Sequence, residues 1–110
     1  MNEELMTRKQ ILEKAINCTT GQRQEDYGTP EDNFSRIARL WSAYQGDKCY
    51  TAADVAVMLA LLKIARIKNS PIHMDNWVDL AGYAACGGEI ADKSQRTAYS
   101  LDCALRGVAE

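Results

Sequence analysis

Two carboxylates and a tyrosine follow one another at four-residue spacing in the segment 74–83. If this segment is helical, Asp75, Asp79 and Tyr83 project from one face, because residues four apart lie on the same side of an α-helix. Two like charges on one stripe destabilise a helix unless a cation lies between them, and Mg²⁺ prefers oxygen ligands. The alternative is structural: Asp75 would stabilise the positive end of the helix, and Asp79 would pair with a basic side chain of a neighbouring helix.

Asp54 is the third candidate metal ligand, and it lies three residues after Thr51 at the start of a long apolar segment. An equally supported interpretation is a capping box, in which Thr51 and Asp54 bind each other's backbone N–H groups. If the segments that carry Asp54 and Asp75 form antiparallel helices, Asp54 lies nearer Tyr83 than Asp75, since a helix rises about 1.5 Å per residue. A partner subunit would then be needed to bring Asp54 to Asp75.

A second group of polar residues indicates phosphate or base recognition, because these side chains are rich in hydrogen-bond donors. Its members are Arg23, Tyr27, Gly28, Asn33 and Arg36. Lys63 and Arg66, three residues apart, would either add positive charge to the site or form the solvated side of their helix. His73 is the only histidine and is predicted in a surface turn. A multi-histidine metal site is therefore excluded within one chain.

Hydrophobic periodicity predicts four helices, over 3–17, 30–44, 52–68 and 74–86. The last three carry most of the candidate residues. Thr29 and Thr51 are the predicted N-caps, and Gly87-Gly88 is predicted to end the fourth helix. A polar loop is expected over 18–30, and residues 90–110 form a last helix or a mobile arm. The third helix is apolar around most of its circumference, which predicts a position at the centre of the bundle and a homodimer or higher homo-oligomer.

Length and composition indicate one globular domain over residues 1–110, since 46% of the residues are hydrophobic and 25% are charged. The predicted helices make this domain all-α, a small bundle of four to five helices. The net charge of -2 lacks the positive field that nucleic-acid binding requires. The longest apolar run, 55–62, is shorter than the roughly 20 residues that cross a bilayer. With an acidic N-terminus and no signal pattern, a cytoplasmic protein is expected. Its four scattered cysteines predict buried free thiols.

The motifs that carry a family resemblance lie within about residues 22–89 and follow a fixed order. They are Arg23-x-x-x-Tyr27-Gly28, Asn33-Phe34, Ile37-Ala38, Trp41, Asp54-Val55-Ala56-x-Met58, Leu62-Lys63-Ile64-Ala65-Arg66 and Asp75-Asn76-Trp77-x-Asp79-x-x-Gly82-Tyr83. In this order they resemble small phage and prophage proteins, and above all the MazG-like nucleotide pyrophosphohydrolases. The resemblance implies an all-α fold in which acidic side chains of two neighbouring helices hold magnesium, which binds a triphosphate and helps water attack it.

Carried onto this chain, the resemblance implies a nucleotide ligand and a magnesium site. The metal-ligand candidates are Asp54, Asp75 and Asp79, and the ligand-binding candidates are Arg23, Tyr27, Asn33, Lys63, Arg66 and Tyr83. Tyr27 or Trp41 would stack on a base while the cations meet phosphate. The family's ExxE motif is replaced by Asp54-Val55-Ala56-Val57, so carboxylates are fewer. Three hypotheses follow: a magnesium-dependent nucleoside triphosphate pyrophosphohydrolase, a non-catalytic binder of a nucleotide or nucleotide-derived signal, and a helical interaction module.

Overall fold

The fold contains five helices in the part of the chain that the structure, a computed structural model, describes: the backbone of residues 5–106 and the side chains of residues 5–97 and Leu105. In chain order they are α1 (Arg8–Thr19), α2 (Gln22–Tyr27), α3 (Pro30–Gln45), α4 (Ala52–Asn69) and α5 (Met74–Arg106). The predicted all-α class is confirmed for these residues. The helix predicted over 3–17 begins instead at Arg8, because Thr7 caps it in a reciprocal capping box with Gln10; residues 3 and 4 lie outside the described residues. No bilayer-spanning segment is found among the described helices.

Helix starts follow the capping residues of the sequence. The Thr29 hydroxyl accepts the N–H of Asp32 at 3.2 Å, and Pro30 occupies the first turn of α3, where its missing N–H costs nothing. Thr51 and Asp54 form a reciprocal capping box at the start of α4. The prediction of Thr29 and Thr51 as N-caps is therefore confirmed.

The segment predicted as a continuous polar loop contains α2, so that prediction is wrong. Gly21 and Gly28 flank this short helix with φ angles of 65° and 81°. A positive φ strains any side chain with a Cβ, so the two glycines allow the sharp turns that isolate α2. None of the α2 residues is buried, and hydrophobic periodicity therefore carries no signal for it.

Gly87-Gly88 does not end the last helix, which continues to Arg106. Neither glycine has a positive φ, the conformation that a glycine C-cap requires. A Cβ added at Gly87 would lie 2.9 Å from the Cβ of Ala56. Gly87 therefore lets α5 approach α4 closely, and this packing offsets the roughly 1 kcal/mol that a glycine costs inside a helix.

The core lies where α3, α4 and α5 meet. Its buried cluster is Phe34, Ala38, Val55, Ala56, Cys86 and Ile90. The prediction that α4 lies at the centre of the bundle is wrong, because α4 packs on α3 and α5 along one face only and its other face is exposed. Trp77 is 40% exposed, and its indole N–H donates to the Pro71 carbonyl at 2.8 Å in the turn before α5.

The cysteines differ from the expectation of buried thiols. Cys86 is buried, but Cys18 and Cys49 are exposed free thiols, because they lie near the end of α1 and in the connection before α4. The side chain of Cys103 lies outside the described residues. The two exposed thiols offer reporters at different places on the molecule.

Candidate ligand pocket

A pocket of about 210 Å³ opens between the end of α1, α2, the start of α3 and the N-terminal half of α5. Its lining includes four of the six residues predicted to bind a ligand and one of the three predicted metal ligands. These are Arg23, Tyr27, Asn33, Tyr83 and Asp79. The fold thus brings two distant stretches of the sequence, residues 18–34 and residues 78–86, to one concave surface.

A close approach of α1 to α5 shapes one wall of this pocket. A Cβ added at Gly82 would lie 3.1 Å from the Thr19 side-chain methyl group, which is tighter than an ordinary van der Waals contact. Gly82 and Thr19 both line the pocket. A mid-helix glycine is a sequence signal of close packing, but Gly82 does not itself indicate that the packed element is α1. Sequence reasoning left α1 outside and so missed Cys18 and Thr19.

The short helix α2 carries the cation of the pocket. Arg23 and Tyr27 lie four residues apart, and the guanidinium carbon of Arg23 is 5.0 Å from the centroid of the Tyr27 ring. This separation is within the range of a cation–π contact. The contact fixes a planar donor group beside an aromatic ring that is 60% exposed. Among the ion pairs of the described residues, none involves Arg23.

Aromatic rings form a second wall of the pocket. Phe34 of α3 and Tyr83 of α5 pack in a tilted arrangement, with ring centroids 6.3 Å apart. Phe34 is buried in the core, whereas Tyr83 is half-buried at the pocket surface. Asn33, the neighbour of Phe34, adds an amide to the same wall. The pocket therefore combines aromatic surface with amide and guanidinium donors.

Asp79 lies at the pocket wall and is held from behind by Lys63. The Lys63 ammonium nitrogen lies 2.9 Å from Oδ2 of Asp79, and the two side chains are 11% and 35% exposed. Lys63 projects from the packed face of α4, where it is one of two buried polar or charged residues among those described. The ion pair named above as the structural alternative for Asp79 is thus present.

Two cysteines line the pocket, Cys18 at its exposed side and Cys86 at its buried side. Burial raises the pKa of the Cys86 thiol, Glu89 raises it further, and the positive charge of Arg23 opposes this shift. A thiol with a raised pKa stays protonated near neutral pH and is a poor nucleophile. Cys86 therefore contributes a neutral, apolar surface.

The three predicted metal ligands are not brought together. Asp54 accepts the Thr51 N–H at 2.9 Å in its capping box, and Asp75 is exposed in the first turn of α5, outside the pocket lining. Among the described residues, no group of three or more His, Cys, Asp or Glu side chains is arranged to hold a metal ion. The carboxylates of this single chain therefore do not fit the predicted three-ligand magnesium site.

The remaining candidates lie elsewhere. Arg66 lines a second, open concavity of about 490 Å³ near the turn between α4 and α5, together with His73. His73 is exposed in that turn, as predicted. Trp41 packs edge-on against Tyr50, with centroids 6.1 Å apart, and is not part of the pocket lining. Arg36 is exposed on α3 and also lies outside that lining.

The sequence profile of a family described as a domain of unknown function, DUF6378, matches residues 10–91. The chain belongs to the DUF6378 family. The matched range runs from α1 into α5 and includes every residue that lines the pocket. No solved structure matches the chain.

Relatives of this chain occur in mycobacterial phages. The chain is 50% identical over 74 residues to the Gene 55 protein of Mycobacterium phage L5, a match that covers 67% of this chain and 47% of that protein. It is 45% identical over 76 residues to the Gene 55 protein of Mycobacterium phage D29, covering 69% and 50%. The chain thus spans about half the length of these relatives. The resemblance to a small phage protein family is confirmed, while the MazG-like resemblance depends on the motifs alone.

Proposed function

We propose that the pocket binds a nucleotide or a nucleotide-derived small molecule in the cytoplasm of a phage-infected cell. The observation that carries the proposal is the position of the Arg23 guanidinium against the exposed ring of Tyr27, in a pocket that also contains the Tyr83 ring. A nucleotide presents an aromatic base and an anionic phosphate, and this pair of groups matches an aromatic surface beside a fixed cation.

Arg23 is the proposed phosphate ligand. Because no ion pair of the described residues involves it, its planar donors are available for two parallel hydrogen bonds to phosphate oxygens. Its contact with Tyr27 holds the guanidinium near the bound position before the ligand arrives. Preorganisation of this kind lowers the entropy that binding costs.

The size of the pocket supports partial enclosure of the ligand. A volume of about 210 Å³ is below the roughly 300–1,000 Å³ of pockets that enclose drug-sized ligands. We place the base, and part of the sugar, between Tyr27 and Tyr83, with the phosphates at the mouth beside Arg23. Asn33 would read polar groups at the base edge, since an amide both donates and accepts hydrogen bonds.

Asp79 is proposed as a recognition residue. Lys63 binds its Oδ2 atom, so Oδ1 is the oxygen positioned to accept a hydrogen bond from a base N–H or a sugar hydroxyl. The pair also neutralises the carboxylate charge, which would otherwise repel the phosphates. Lys63 thereby acts on the ligand through Asp79 and not as a direct phosphate contact.

Binding without turnover is the function that the geometry supports best. In the MazG-like mechanism, metal ligands come from several carboxylates, whereas the pocket lining contains Asp79 as its only one of the three predicted ligands. Pyrophosphohydrolysis with Mg²⁺ is retained as the second hypothesis because of the Asp75-to-Tyr83 motif. The binding experiment separates the two when reaction products are measured alongside.

Titration calorimetry with the common ribonucleoside and deoxyribonucleoside mono- and triphosphates, with and without Mg²⁺, tests this proposal. We expect at least one nucleotide to bind the wild-type chain, and Arg23→Ala to weaken that binding at least about tenfold, since hydrogen bonds to charged groups contribute about 1.5–3 kcal/mol. Arg36→Ala, which removes an exposed arginine outside the pocket, is the matched control and should bind like wild type.

Two outcomes would contradict the proposal: no nucleotide binds, or the two arginine variants lose affinity equally. Chromatography of the same mixtures measures pyrophosphate release. Release that requires Mg²⁺ and disappears in an Asp79→Asn variant that circular dichroism shows to be folded would establish the pyrophosphohydrolase hypothesis in place of simple binding.

A further inference from the structure

The solvent face of α4 carries a continuous apolar stripe that no part of the described chain covers. Its large residues are Val57, Met58, Leu61, Leu62 and Ile64, with exposures from 39% to 58%. At 3.6 residues per turn these positions fall on one side of the helix, opposite to the side that carries Lys63. Contiguous exposed apolar surface of this kind marks an interaction site.

A charged residue closes each end of the stripe. Asp54 lies at its N-terminal end and Lys68 at its C-terminal end, and both are exposed. Both fall in the same angular sector of the helix as Leu61, which is midway between them in the sequence. The two charges are about 21 Å apart along the helix axis at 1.5 Å per residue.

This arrangement is self-complementary. When two copies of the stripe pair antiparallel about a two-fold axis at Leu61, each Asp54 meets Lys68 of the second copy. A two-fold interface uses the same patch on both subunits, so one pairing creates both contacts. A parallel pairing would instead place Asp54 against Asp54 and Lys68 against Lys68, and like charges repel.

We propose that two copies of this chain form an antiparallel homodimer through the solvent face of α4, centred on Leu61 and ordered by two Asp54–Lys68 pairs. The apolar side chains supply the affinity, and the charges set the direction of pairing. One helix pair offers less area than the roughly 800 Å² per partner of a standard interface, so a dissociation constant in the micromolar range is expected. This proposal is independent of the ligand pocket.

Sedimentation velocity over a concentration series tests the dimer. Wild type should shift from monomer to dimer, and Leu61→Asp should remain monomeric, because it places two carboxylates at the centre of the apolar contact. Ile72→Asp is the matched control: Ile72 is 87% exposed in the turn before α5 and lies outside the stripe, so this variant should dimerise like wild type. A monomeric wild type, or dimerisation of Leu61→Asp with unchanged affinity, would overturn the proposal.

Charge exchange tests the direction of pairing. Lys68→Glu should weaken self-association roughly tenfold, because it turns two attractive pairs into two repulsive ones. Asp54→Lys makes the same exchange and also removes the capping carboxylate of α4, so it should weaken self-association at least as much. When the two variants are mixed, the mixed dimer contains two attractive pairs and should form with near wild-type affinity. Circular dichroism of each variant checks that α4 is retained. Variants that each associate like wild type would contradict the antiparallel arrangement, because a parallel pairing brings like charges together in all three homodimers. A mixture that associates no better than the separate variants would contradict the charge pairs.

Discussion

The two faces of α4 distribute their side chains in opposite ways. The packed face holds Lys63, which is only 9% exposed, whereas Val57 and Leu61 on the solvent face are 58% and 56% exposed. In an ordinary surface helix the apolar residues are buried and the lysines are solvated. Lys63 is buried because it holds Asp79 at the pocket, and the apolar residues are exposed because, in our proposal, a second copy covers them.

The contrast between the two faces indicates which positions of α4 serve function and not folding. Folding alone would favour an apolar residue at position 63 and polar residues at 57 and 61. Burial of the Lys63 charge costs stability unless the charge is paired, and exposure of Val57 and Leu61 forgoes the stabilisation that their burial would give. Substitutions that change these positions and their neighbours one at a time measure how much each contributes to the free energy of unfolding.

Removal of the charged partner of Lys63 should lower the free energy of unfolding most. Asp79→Asn should lower the free energy of unfolding by about 2–3 kcal/mol, because it leaves the Lys63 ammonium buried without a charged partner. This figure is below the usual cost of breaking a fully buried pair, since the Asp79 side chain is 35% exposed. Urea denaturation followed by circular dichroism provides the measurement.

Two further variants sharpen this result. Asp75→Asn removes an exposed carboxylate from the first turn of the same helix and should change the unfolding free energy by less than about 0.5 kcal/mol. The double variant Lys63→Met, Asp79→Leu should recover most of the loss, as apolar replacement of a buried pair often does. Equal losses of unfolding free energy for Asp75→Asn and Asp79→Asn would show that the Lys63–Asp79 pair does not stabilise the fold.

A smaller effect is expected where α5 approaches the packed face. Gly87→Ala should lower the free energy of unfolding by about 1–2 kcal/mol, because its Cβ would lie 2.9 Å from the Ala56 Cβ and the helices must separate. Gly88→Ala meets no atom within 4 Å and should raise it by about 0.5–1 kcal/mol through helix propensity. Thermal denaturation compares the pair, and stabilisation by both substitutions would disprove close packing at Gly87.

Local signals in the sequence predicted much of the fold. Thr29 and Thr51 are caps whose hydrogen bonds involve residues only three positions away, so sequence alone identifies where α3 and α4 begin. The continuation of α5 through Gly87 was not predictable in this way, because it depends on contact with Ala56 of another helix. The exposed face of α4 was equally hidden, since periodicity does not state which side of an apolar helix is covered.

The sequence predicted the part of the site whose residues have suitable chemistry and also lie close together in the chain. Arg23, Tyr27 and Asn33 are close in sequence, and they meet in the pocket. Asp54 was misleading because a carboxylate at the third position of a helix suits both a cap and a metal, and here it serves the cap. Lys63 and Arg66 are three residues apart, yet the first faces α5 and the second lines a different concavity.

The most direct test of the central claim, that the pocket is a ligand site, uses the two exposed cysteines as reporters. Cys18 lines the pocket and Cys49 does not, so iodoacetamide labelling mapped by mass spectrometry compares the two positions in one sample. With the tightest-binding nucleotide at saturation, we predict that labelling of Cys18 slows several-fold while that of Cys49 is unchanged. Equal labelling rates at Cys18 with and without bound nucleotide would contradict the claim that the nucleotide binds in this pocket.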